Sequence, residues 1–197
     1  MSRSVVDRRE ANKAGKAMEK IVGEALIDNI VSRGFFEVAM PLKFKAKKKY
    51  GSSACFENHA HDCILVLKGK DLHKFADAYS DFSLAEKFQK GLYPDFALVS
   101  LDRKRLFIIE VKNQNRAGSV DEKLQTTHFK RFYYEHIAKG LALELDFYWL
   151  LGGSYISANA SKYEAIIQYM SEQGSKVEIF NKDPRAAIAE LLSQLVR

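Results

Sequence analysis

The chain has 197 residues, of which 47% are hydrophobic and 12% aromatic, enough apolar material to bury a core and to exclude global disorder. Two cysteines exclude a disulfide scaffold, and no apolar run reaches the roughly 18 residues of a membrane span, so no membrane partner is expected. The net charge of +6 is compatible with a nucleic-acid partner. The N-terminal stretch MSRSVVDRREANK lacks the apolar segment of a secretory signal, which together with the cysteine usage predicts a cytoplasmic setting.

A single domain over residues 1–197 is expected. From about Arg8 to Arg33 the spacing of Ala14, Met18, Ile21 and Ala25 predicts one helix, with Gly34 as its stop. FFEVAMPLKFK reads as partly extended, and Pro41 argues for an edge or an irregular stretch. A basic loop, KAKKKYGSS, leads to a strand over HDCILVLKG, and residues 70–90 read as helical. Two strands come next, about 94–101 and 105–113, joined by a charged turn. A helix beginning near Val120 or Asp121 ends by Gly140, and LDFYWLLGG is a buried strand. A helix over about 160–172, a strand KVEIF and a helix over 184–196 complete the chain, the last with Asp183 as N-cap and Pro184 in its first turn. The order predicts an α/β fold with a central mixed sheet flanked by helices.

The chemistry concentrates in the pair of strands. Side chains alternate along a strand, so Glu110 and Lys112 share a face. If Arg103 and Lys104 form a two-residue loop, Asp102 pairs with Arg105 and Asp95 with Lys112. That register places all three polar groups on one face at the open end of the hairpin. Two carboxylates converging from adjacent strands repel unless a cation lies between them, and all-oxygen ligands with water positions to spare suit Mg²⁺ or Mn²⁺. A lysine beside them can offset charge, hold a water or contact a phosphate oxygen. The alternative is an Asp95 that caps a turn and a Glu110–Lys112 surface pair. It fits poorly with LFIIEVK, which is apolar on both faces and therefore reads as central.

Pro94-Asp95, fourteen residues, then Glu110-Val111-Lys112 resembles the PD-(D/E)XK nuclease signature. EVKNQNRAGSVDEKLQTTHFKRFYY resembles the stretch downstream of the catalytic lysine in many type II restriction endonucleases. The resemblance implies a restriction endonuclease-like αβββαβ core and Mg²⁺-dependent hydrolysis of duplex DNA, with Mn²⁺ as a substitute. It implies metal ligation by the side chains of Asp95 and Glu110 and the carbonyl of Val111, and a Lys112 that orients the attacking water. It also implies a prokaryotic restriction system, a homodimer on a palindromic site, and a cognate methyltransferase as a companion. Members of the family often place a helix acid near the metal, and Glu19, between Gly15 and Gly23, is the candidate for that place here, with a solvated helix glutamate as the other reading.

Asn113, Gln114, Asn115 and Arg116 come directly after the lysine and suit base edges and phosphates, although a polar exit loop has the same composition. Lys47, Lys48 and Lys49, in a run with Lys43 and Lys45, suit phosphate contacts, as do Lys130 and Arg131 on the helix after the hairpin. Tyr133 and Tyr134 read as packing. Cys55, His59, His61 and Cys63 are zinc-competent types, but four ligands from nine residues depart from the paired spacing of structural zinc sites. No Walker loop, Rossmann glycine pattern or Gly-x-Ser-x-Gly elbow is present. Two other readings stay open: a repair or junction-resolving nuclease, and a nucleic-acid-binding module without catalysis.

Overall fold

The computed structural model describes residues 5–40, 53–80, 88, 91–115, 123–181 and 183–195. Helix α1 (Val5–Ser32) leads to strands β1 (Phe36–Val38), β2 (Ala54–Glu57) and β3 (Cys63–Leu67). Helix α2 (Asp71–Tyr79) precedes β4 (Phe96–Ser100) and β5 (Arg105–Asn113). Then come α3 (Thr127–Gly140), β6 (Glu144–Gly152), α4 (Ser154–Ala158), α5 (Ala160–Glu172), β7 (Ser175–Phe180) and α6 (Arg185–Leu195). The strands form one seven-stranded sheet in the sequential order β1 to β7, antiparallel from β1 to β5 and parallel across β5–β6–β7. This is the α/β fold with a mixed, helix-flanked sheet that the element order predicts.

The sheet's two faces carry two cores. Ala97, Val99, Leu106, Ile108, Phe147, Trp149 and Leu151 face α2, α3 and α5. Phe96, Leu98, Phe107, Ile109, Val111, Tyr148 and Leu150 face α1 and α6. Strands buried on both faces read as continuous apolar runs, which is why FALVS and LFII have no polar alternation. The α1 stripe differs in detail from the predicted one. Met18, Val22, Ala25, Leu26 and Ile30 are buried, whereas Ile21 is exposed. The stripe advances mainly by four residues, and Ile21 falls one position off it.

Gly34 has φ +86 and ends α1 with its N–H on the Val31 carbonyl. The Asp183 cap is present: the Arg185 N–H donates to Asp183 Oδ1 at 3.0 Å. Two elements escaped the sequence reading, β2 and the five-residue α4. The start of the predicted helix at Val120–Asp121 and the basic loop with Lys47, Lys48 and Lys49 lie outside the described residues.

Candidate active site

The turn between β4 and β5 corrects the two-residue loop. Ser100 pairs with Arg105, so the connection is the four residues Leu101–Lys104, with Lys104 at φ +51. The ladder ends at Phe96↔Ile109, and one step further Asp95 comes level with Glu110 rather than Lys112. Both loops are even in length, so the face assignment survives the shift. Asp95, Glu110 and Lys112 lie on the same side of the sheet, under α3.

These side chains converge on one point. The Lys112 ammonium donates to the Val111 carbonyl at 2.8 Å and to Asp95 Oδ2 at 3.3 Å, and stands 3.6 Å from Glu110 Oε2. The same Asp95 Oδ2 also accepts the Val111 N–H at 2.7 Å, which fixes the carboxylate. Two carboxylates and a carbonyl therefore surround a single cation.

Glu110 is only 2% exposed. Lys130 Nζ lies 2.7 Å from its Oε2, and the Tyr134 hydroxyl donates to its Oε1 at 3.4 Å. Lys130 and Tyr134 are one helical turn apart on α3, so one face of that helix supplies both contacts. Burial pushes the Glu110 carboxyl above the ordinary carboxylate range and Asp95 adds to the push, while Lys130 and Lys112 oppose it. Burial and the Glu110 charge also push the Tyr134 phenol up, which keeps it a donor.

Glu19 approaches from the other face, at the open end of the hairpin. Gly23, one turn along α1, lets the helix rest on the Phe96 ring, where an added Cβ would stand 3.2 Å from two ring carbons. Gly15 has open space around it and plays no such part. Glu19 Oε2 is 3.9 Å from Lys68 Nζ. Its carboxyl is raised by burial first and by Asp95 second, with Lys68, Lys112 and Lys16 opposing. Glu19 thus feels the charges of the site, yet among the described residues no three His, Cys, Asp or Glu side chains gather at one cation position.

The remaining predicted residues disperse. Asn115 Oδ1 accepts from the Ser154 N–H at 3.0 Å and so anchors the start of α4. The Gln114 N–H donates to the Gly152 carbonyl and its own carbonyl accepts from the Tyr155 N–H in α4, while its side-chain amide is buried without a partner among the described residues, as is Asn113 Oδ1. Lys130 points at Glu110, whereas Arg131 bonds Glu135 at 3.0 Å and the Gly174 carbonyl at 2.6 Å. Arg116, like Lys47, Lys48 and Lys49, lies outside the described residues. The zinc-competent group does not assemble. Cys55 and Cys63 are free thiols with sulfurs 3.2 Å apart, and His61 pairs with Glu57.

Two contributors were not singled out in the sequence. Lys68, at the end of β3, faces Glu19, and Trp149 lies beside Glu110 in the parallel β5–β6 register. Neither has a local signal. Lys68 is one basic residue among many, and the Trp149 neighbour depends on strand order.

Residues 10–136, well over half of the chain, match the family described as the PD-(D/E)XK nuclease superfamily domain. The chain belongs to that superfamily, whose members are nucleases that generally use divalent metal ions. Asp95, Glu110, Lys112, Glu19, Lys130 and Tyr134 fall inside the matched range, and Trp149 falls beyond it. Comparison with curated proteins and with solved structures gave no match.

The donor set fits a divalent cation. The oxygens of Asp95, Glu110 and Val111 already enclose a positive charge, that of the Lys112 ammonium. Three protein oxygens leave water positions free, as a Mg²⁺ ion prefers.

Proposed function

We propose that the protein is a Mg²⁺-dependent endonuclease acting on duplex DNA at a specific sequence, in the manner of a type II restriction enzyme. The observation that supports this best is the convergence of Asp95, Glu110 and the Val111 carbonyl on one cation position with Lys112 beside it. These three oxygens would hold the metal, with Mn²⁺ as a substitute. When bound, the ion would supply an ionised water and an electrophile for the phosphate oxygen. Lys112 would orient the attacking water and carry positive charge to the phosphate. Lys130 and Tyr134 keep Glu110 in place from α3.

The readout residues are proposed as Asn113, Gln114, Arg116 and the run Lys47–Lys49. Asn115 and Arg131 are bound within the chain, which gives them a supporting part. A homodimer on a two-fold site and a companion methyltransferase complete the proposal. A nuclease of the same superfamily that acts on repair intermediates or junctions is the competing role.

The test is incubation of phage-length duplex DNA with protein and Mg²⁺, beside Lys112→Ala and chelator controls. Discrete bands that vanish in both controls support the proposal. A smear that vanishes in both overturns sequence specificity and leaves the nuclease. Cutting confined to a four-way junction assigns the competing role.

A further inference from the structure

Trp149 is wholly buried, yet its indole N–H has no hydrogen-bond partner among the described residues. A buried Trp N–H is ordinarily bonded, and a smaller apolar side chain such as Phe would carry no N–H to leave unpaired. What the indole offers in exchange is its face. Lys112 Nζ stands 5.6 Å and Lys130 Nζ 5.0 Å from the ring centroid, both within the range of cation–π attraction, which is strongest for Trp. Trp149 is also level with Glu110 on the neighbouring parallel strand, so ring, carboxylate and both ammoniums share one side of the sheet.

The geometry points to Trp149 as a positioning residue that seats Lys112 when the cation position is filled. This inference rests on the proposed metal site. In the metal-free chain the ammonium holds the Val111 carbonyl and Asp95. With those oxygens committed to a divalent cation, Lys112 loses both partners and must remain charged close to the same carboxylates. The indole face lies next to its metal-free position and attracts a cation without competing for the metal's ligands. Held there, Lys112 stays beside the scissile phosphate instead of turning out to solvent.

Trp149 is the only tryptophan in the chain, so its fluorescence reports on the ring alone. Mg²⁺, which is diamagnetic, is titrated into the wild-type protein and Lys112→Met, with calorimetry run in parallel. The expected result is an emission change whose midpoint coincides with the calorimetric one in the wild type. Lys112→Met is expected to bind Mg²⁺ with an emission response at least about fivefold smaller, because the moving cation is gone. Trp149→Leu should lower kcat about tenfold with Mg²⁺ affinity nearly unchanged, and Trp149→Phe should recover most of the loss. Calorimetric binding with silent emission, or an undiminished response in Lys112→Met, overturns the inference while leaving the metal site intact. Absence of calorimetric binding overturns both. The emission titration does not depend on whether Trp149→Leu folds.

Discussion

Lys130 Nζ lies 2.7 Å from Glu110 Oε2, nearer than Lys112, at 3.6 Å from the same oxygen. The lysine of the sequence motif is thus not the main counter-charge of its acid. That role belongs to a helix residue twenty positions later in the chain, and it leaves Lys112 shared among Asp95, Val111 and Glu110.

Lys130→Met should therefore be costly for stability as well as for activity. It leaves a nearly fully buried carboxylate with only the more distant Lys112, and truncating one partner of a buried ion pair costs about 3 kcal/mol. Urea denaturation near neutral pH should show that loss. Glu110 also becomes easier to protonate without Lys130, which opposes the upward push of burial. The acid limb of divalent-cation binding should move to higher pH in Lys130→Met, read by calorimetry across a pH series.

Gly153 has φ +105, and an added Cβ would stand 2.3 Å from the Gln114 carbonyl oxygen. Both the backbone conformation and the contact forbid a side chain. Gly153→Ala should cost about 3 kcal/mol or more in thermal or urea unfolding. It should also displace Gln114, so cleavage should fall further than the loss of folded protein explains.

His73 gives a stability signature away from the carboxylates. Its Nε2–H donates to the Leu92 carbonyl at 2.7 Å, which leaves Nδ1 as the titrating nitrogen, and burial holds the imidazole below its ordinary pKa of 6.5. The folded state therefore binds the proton less readily than the unfolded state. The contribution of His73 is fully present above about pH 6.5 and is lost as pH falls from there through the lowered folded value. In His73→Gln the denaturation midpoint should fall less steeply on acidification than in the wild type, measured by urea titration at matched ionic strength.

Much of this site was legible in the chain because its parts are local. Glu110 and Lys112 share a face by strand parity alone, and Asp95 joins them through any even hairpin loop. The loop length itself was not legible. Leu101–Lys104 contains no Asn-Gly or Gly-x signal, and the left-handed position is taken by Lys104. Strand β2 was hidden because ACFE is short and its pairing with β3 sets Cys55 diagonally across from Cys63, which reads in one dimension as a ligand cluster. Lys130 was read as a phosphate contact because its partner lies across the sheet–helix interface. Trp149 is level with Glu110 only through the parallel β5–β6 register, which arises from tertiary packing and leaves no periodic mark in sequence.

The most direct test of the account is a Mn²⁺ soak of crystals of this protein, read by anomalous difference density. The predicted result is one peak bounded by the carboxylates of Asp95 and Glu110 and the Val111 carbonyl, with Lys112 Nζ moved off those oxygens. The same soak of Asp95→Asn should show the peak lost or strongly reduced. A wild-type site that keeps Lys112 in place and holds no Mn²⁺ there, in crystals where the ion binds elsewhere, would contradict the account.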